Sequence, residues 1–126
     1  MTYLVTGGAG FIGSHLIERL VNKKNNIICI DDLSSGFLYN IIDHKNIKTI
    51  KKSIQDVNIN ELGNINGIFH LAAQASVPKS IDDFYNSSSN NLLGTLKVFD
   101  FLISKKYQLY MHHLQLFMGT CPKAVM

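Results

Sequence analysis

Arginine is nearly absent. Of the 12 basic residues in this 126-residue chain, only Arg19 is one. Against 9 acidic residues the formal net charge is +3. That is too small and too scattered for nucleic acid to be the main partner. Cysteine is scarce too, with only Cys29 and Cys121. Two cysteines build neither a disulfide framework nor a metal cluster, and the expected compartment is a reduced cytoplasm. No apolar run approaches the roughly 18 residues of a membrane span. Met1-Thr2-Tyr3-Leu4 lacks the basic start and small-residue cleavage site of a secretory signal. What remains is ordinary globular material, 46% hydrophobic and 17% charged. The length suits one domain.

Along the chain, Tyr3-Leu4-Val5 runs into Thr6-Gly7-Gly8-Ala9-Gly10, a short buried strand stopped by glycines. A helix is expected over residues 12–23, with Leu16, Ile17, Leu20 and Val21 at helical spacing. Residues 27–30 read as a second strand, closed by Asp31-Asp32, with Ser34-Ser35-Gly36 as a loop. A short helix is expected over 37–43 and a third strand over 47–50, while 58–62 is ambiguous. Residues 67–72 read as a fourth strand. The polar run 86–90 is expected to precede a helix whose apolar face is Leu92, Leu96, Phe99 and Ile103. Strands and helices in alternation, with continuous apolar strands, predict an α/β fold with a parallel sheet covered on both faces.

Gly7, Gly10 and Gly13 lie between the first strand and the first helix. A glycine pattern alone is weak evidence, but here a strand precedes it, an amphipathic helix follows and acids end the next strand. A diphosphate fits such a place, because bare backbone N–H groups and the positive end of the helix dipole favour an anion. Side chains at Gly7 or Gly10 would hold the phosphates off the backbone, and Gly13 lets the helix sit close to the strand. Asp31, roughly twenty residues on, can accept hydrogen bonds from both ribose hydroxyls of an adenosine. It would repel a 2′-phosphate, which favours NAD over NADP. Asp32 could share that role or be a solvated loop acid.

Thr6-Gly7-Gly8-Ala9-Gly10-Phe11-Ile12-Gly13-Ser14-His15-Leu16 closely resembles the opening of the extended short-chain dehydrogenase/reductases, in particular the NAD-dependent sugar-nucleotide epimerases and dehydratases. Asp31-Asp32-Leu33-Ser34-Ser35-Gly36 resembles that branch's second-strand motif, and the run from His70 through Gln74 to Ile81 its fourth-strand motif. Asn91-Leu92-Leu93-Gly94-Thr95-Leu96 resembles its next helix. Gln74-Ala75-Ser76-Val77 looks more like UDP-glucose 4-epimerases than dehydratases, which tend to carry Glu-Ser-His-Val there. The resemblance implies a Rossmann-type doubly wound sheet, NAD as cofactor, a UDP-sugar as substrate and a homodimer. It implies that Phe11 and Ile12 meet the diphosphate through their backbone. Leu71, Ala72 and Ala73 would line the dinucleotide groove, or simply pack in the core. Gln74 would reach a ribose hydroxyl, and Asn91 would sit near the nicotinamide ribose or cap its helix. Ser76 and Ser80 would edge the sugar pocket. His70 is expected to be a core-held strand residue with no acid–base part. Ser53-Ile54 stands where the family commonly has an aspartate and an aliphatic residue to hold adenine.

The same resemblance implies a catalytic Tyr-x-x-x-Lys, a tyrosine whose phenol is made acidic by a lysine and takes the proton from the sugar hydroxyl. None of Tyr3, Tyr39, Tyr85, Tyr107 and Tyr110 has lysine at that offset. The expected fifth strand is missing as well. With one permitted set of codons, restoring a single base after the Leu109 codon gives Leu-Ile-Tyr-Ala-Ser-Ser-Ala-Ala-Val-Tyr-Gly, which looks like that strand. The expectation is therefore an incomplete NAD-binding domain over 1–108, truncated after about four strands, and a non-family tail over 109–126 from a shifted reading frame. Strand four would then be a bare apolar edge that invites aggregation. His112-His113 lacks the further ligands of a metal site. The expected function is the cofactor-binding part of a UDP-glucose 4-epimerase-like enzyme, inactive on its own. The alternatives are a non-catalytic NAD- or nucleotide-binding fragment, or the same region of a sugar-nucleotide 4,6-dehydratase.

Overall fold

The computed structural model describes residues 1–74, 76–105 and 109–111. The expected strands form as β1 (Thr2–Thr6), β2 (Asn26–Ile30), β3 (Ile47–Ile50) and β4 (Gly67–His70), all parallel. Helix α1 spans Phe11–Asn22, α2 Val77–Asp82 and α3 Phe84–Lys105. A short strand, β5 (Leu109–Met111), pairs with the outer edge of β4, Phe69 opposite Tyr110. The sheet order is β3-β2-β1-β4-β5. One expectation is corrected here: strand β4 is not a bare edge, because residues 109–111 pair along it. Three residues carry no periodicity of their own, so only pairing with β4 defines them. The reading of 112–126, including His112, His113 and Cys121, lies outside the described residues.

Strand alternation builds the two cores. Leu4, Ile28, Ile30 and Ile68 point to one face and meet Val98, Phe101 and Leu102 of α3. Val5, Ile27 and Cys29 point to the other and meet Ile17 and Val21 of α1. Both faces are thus covered, as continuous apolar parallel strands require. At the far end of α1 the backbone N–H of Lys24 reaches the Val21 carbonyl at 2.8 Å. Lys24 takes a left-handed φ of 61°, which stops the helix.

Helix α3 differs from expectation in its start and in its face. It begins before the polar run 86–90, because Asp83 caps it. The Asp83 carboxylate accepts the backbone N–H of Asn86 at 3.4 Å and the Asn86 amide at 2.9 and 3.0 Å. The buried stripe is Ser87, Gly94, Val98, Phe101 and Leu102. The expected stripe points outward at Leu92, Leu96 and Ile103, and Phe99 is half-buried. Small residues decide between the two stripes. A Cβ on Gly94 would stand 3.0 Å from Ile54 Cγ2, so the helix lies too close there for a larger side chain. The expected helix near 37–43 is a single 3-10 turn, Leu38–Asn40, and the ambiguous stretch is another, Ile59–Leu62. No helix among the described residues is long and apolar enough to cross a membrane.

Candidate functional site

The carboxyl ends of β1, β2, β3 and β4 open on a cleft of about 580 Å³. Open parallel sheets bind ligands at such ends. The glycine turn forms one wall. Gly7, Gly10, Phe11, Ile12 and Gly13 all line it. Ser14 is the first residue of α1 whose N–H finds a backbone carbonyl, that of Gly10 at 3.0 Å. The N–H groups of Phe11, Ile12 and Gly13 have no acceptor among the described residues. No side chain caps α1 and no acid stands in its first turn. The Phe11 side chain is 80% exposed, so at this position only the backbone is fixed against the core.

The three glycines differ in what they do. Gly7 has a φ of +70°, and its Cβ would stand 2.6 Å from Ala72 N. It therefore serves the close approach of the chain after β4 as well as lining the cleft. Gly13 would drive a Cβ into the Gly7 carbonyl oxygen and to 2.6 Å from Gly8 Cα. Gly10 alone is open, with only the Gly7 oxygen at 3.4 Å. A cradle that a side chain would fill, beside three bare N–H donors, fits a bound anion.

Asp31 ends β2 and lines the cleft, and it is 8% exposed. Its Oδ2 accepts the Ala9 N–H and its Oδ1 the Leu33 N–H, both at 2.8 Å. A carboxylate offers about four acceptor positions, so one per oxygen is left for hydroxyls of a ligand. Asp32 is exposed; its Oδ1 accepts the Ser34 N–H at 2.9 Å, a local turn of the kind aspartate favours. Ser53 follows β3, and its hydroxyl oxygen accepts the Gln55 N–H at 3.3 Å. Ile54 reaches the cleft wall while its side chain is buried beneath α3. Leu71, Ala72, Ala73 and Gln74 form the wall after β4. Asn91 lies inside α3, so it is no helix cap. Its Oδ1 accepts the Gln74 N–H at 2.7 Å, and the side chain lines the same cleft.

All of these positions thus meet in one cleft. Several others were missed. Asn40 donates its side-chain amide to the Ala9 carbonyl at 2.8 Å, and the Phe37 N–H reaches the same oxygen at 3.1 Å. The backbone of Ala9 is therefore clamped from both sides, by Asp31 and by the loop after β2. Lys52 and Gln55 also line the cleft. Gln55 is held from α3, its amide donating to Asn90 Oδ1 at 3.1 Å and its carbonyl accepting from Lys97 Nζ. Cys29 sits behind Gly8, with its thiol pushed up to about 12, first by burial and then by the charge of Asp31. It is a poor nucleophile. No cluster of metal-ligating side chains occurs among the described residues.

A parallel sheet with helices on both faces, a glycine turn at its first helix and an acid at the tip of its second strand defines a Rossmann-type fold. Residues 4–115 match the family model described as GDP-mannose 4,6 dehydratase, and the chain belongs to that family. It is 39% identical over 104 residues to a UDP-glucose 4-epimerase of Mycolicibacterium smegmatis, covering 78% of this chain and 33% of that protein. It is 35% identical over 95 residues to UDP-glucuronic acid decarboxylase 4 of Arabidopsis thaliana, covering 75% of this chain and 21% of that protein. The crystal structure of a Thermus thermophilus UDP-glucose 4-epimerase in complex with NAD superimposes with a TM-score of 0.75 at 32% identity. That match covers 86% of this chain and 36% of the other. The chain therefore spans about a third or less of the length of these curated relatives.

Proposed function

We propose that this chain holds NAD in the cleft and is the cofactor-holding part of a UDP-sugar 4-epimerase. The observation that carries this reading is the open side of Gly10 beside the bare N–H groups of Phe11, Ile12 and Gly13, in one cleft with Asp31. The diphosphate would lie against those donors, and the two spare lone-pair positions of Asp31 would take the adenosine ribose hydroxyls. Ser53 would face the adenine amino group, and Gln74 a ribose hydroxyl. Bound NAD would supply a hydride acceptor for a sugar carbinol and a hydride donor for the resulting ketone. These 126 residues contain no Tyr-x-x-x-Lys to take the hydroxyl proton, so on their own they bind cofactor without turnover. The free, buried thiol of Cys29 suits a reducing compartment, the cytoplasm.

Titration calorimetry of the full chain tests this reading. NAD is expected to give saturable heat at one site, NADP to bind at least about tenfold more weakly, and UDP-glucose to show no conversion. Absence of any NAD heat would sink the reading. Epimerase is preferred to dehydratase on Gln74-Ala75-Ser76-Val77.

A homodimer is part of the same proposal. Helix α3 leaves Leu92 60%, Leu96 52% and Ile103 78% exposed on one side. An apolar stripe of this kind is a ready contact surface for a second copy. The chain is expected to sediment above its 14.1 kDa monomer mass. Leu92→Glu together with Leu96→Glu should return it to the monomer, and an unchanged mass would exclude this face.

A further inference from the structure

His70 closes β4 and is 5% exposed. Its ring joins two hydroxyls from different elements. Nδ1 lies 2.6 Å from Thr6 Oγ1 at the end of β1, and Nε2 lies 3.2 Å from Thr95 Oγ1 on α3. The hydroxyl protons set the direction of both bonds. Thr95 has one such proton and donates it to the Asn91 carbonyl at 2.7 Å. Its oxygen can therefore only accept from the ring, which puts a proton on Nε2. Thr6 Oγ1 accepts the backbone N–H groups of Leu71 and Ala72, each at 3.2 Å. Its own proton is then free for Nδ1. A neutral ring protonated on Nε2 satisfies all five bonds at once. A proton on Nδ1 instead would give the Thr6 oxygen a third donor and take away the acceptor of its buried hydroxyl.

Both ends of this relay lead to residues that line the cleft. Thr6 fixes the backbone of Leu71 and Ala72. Thr95 leads through Asn91 to Gln74, whose N–H Asn91 accepts at 2.7 Å and whose carbonyl takes the Asn91 amide at 3.4 Å. The wall after β4 is thus held to β1 at one end and to α3 at the other, and the imidazole spans the two anchors. We propose that His70 is a positioning residue: a neutral, Nε2-protonated strut that sets the 71–74 wall of the cleft for the dinucleotide. Its effect on ligand affinity rests on the NAD reading above; its tautomer does not.

Long-range ¹H–¹⁵N spectra of the full labelled chain at pH 7.5 test the strut directly. The His70 signals are identified by their loss in His70→Gln. One Nε2–H form is expected. An Nδ1–H form, or a mixture of tautomers, would overturn the proposal. Thr95→Val removes the ring's acceptor while keeping the side-chain shape, and Thr95→Ser restores it. NAD should bind Thr95→Val about tenfold more weakly and Thr95→Ser like the parent. Equal affinity for Thr95→Val, or an equal loss in Thr95→Ser, would also overturn it. If the parent chain takes up no NAD, the cofactor reading fails, and the ring spectrum alone decides the strut.

Discussion

Gly10→Ala should melt within about 3 °C of the parent chain yet bind NAD roughly a hundredfold more weakly, whereas Gly13→Ala should lose its cooperative transition. The two glycines lie three residues apart in one turn and look alike in the sequence. Their surroundings differ. Gly10 has a φ of −74° and a ψ of 173°, which alanine adopts freely. Its new methyl would meet only the Gly7 oxygen, at 3.4 Å. Loss of a good cap residue and reduced freedom of the unfolded chain offset each other to within about 1 kcal/mol. The methyl would nonetheless stand in the cleft, beside the donors of Phe11, Ile12 and Gly13, where the diphosphate needs close approach. At Gly13 the obstacles are the backbone of Gly7 and Gly8, which no rotamer change can relieve. Helix α1 would have to lift from β1, at a cost of about 3 kcal/mol or more. Small domains have only about 5–15 kcal/mol in total. Circular dichroism melts and calorimetry separate the two effects. Undiminished NAD affinity in Gly10→Ala would take the diphosphate away from this turn.

The turn and the strands were legible because the signals are local. Continuous apolar runs bounded by glycines or acids mark β1 to β4, and the spacing from Gly7 to Asp31 places both at one end of a parallel sheet. The face of α3 was not legible, because the helix carries two apolar stripes. Leu92, Leu96 and Ile103 are the more hydrophobic, but Ser87 and Gly94 are the ones small enough to lie against the layer below. Burial follows fit, and fit depends on Ile54, which is distant in sequence. The clamp on Ala9 was invisible for a similar reason. Its partners Asp31 and Asn40 lie 22 and 31 residues away. The close approach of the chain after β4 to Gly7 was not legible either, because that chain is distant in sequence. Strand β5 has no pattern apart from its partner.

Asp31→Asn should lower the melting temperature by about 10 °C and weaken NAD binding, while Asp32→Asn should do neither. The size of the effect comes from two jobs held by one carboxylate. Each oxygen already accepts a backbone N–H, from Ala9 and from Leu33. An asparagine has one oxygen and one NH₂ group. Whichever way the amide turns, the NH₂ faces one of those two N–H donors. Ala9 is fully buried, so a donor left there is a desolvated group without a partner. Leu33 is held at a φ of 61°, a left-handed conformation that leucine adopts only under constraint. Losing one charge-assisted bond and stranding one donor costs about 3 kcal/mol together. The ligand side follows from the same geometry. Only a carboxylate keeps a spare acceptor on each oxygen after holding both N–H groups, and only a carboxylate repels a 2′-phosphate. In Asp31→Asn the preference for NAD over NADP should fall to within a few-fold. Asp32 is exposed and, among the described residues, accepts only the Ser34 N–H, a bond that an asparagine oxygen can also accept. Parallel melts and NAD/NADP titrations of the two variants decide the point. An Asp31→Asn chain with the parent's melting temperature would show that the carboxylate does not hold the glycine turn. A retained discrimination against NADP would show that the ribose lies elsewhere.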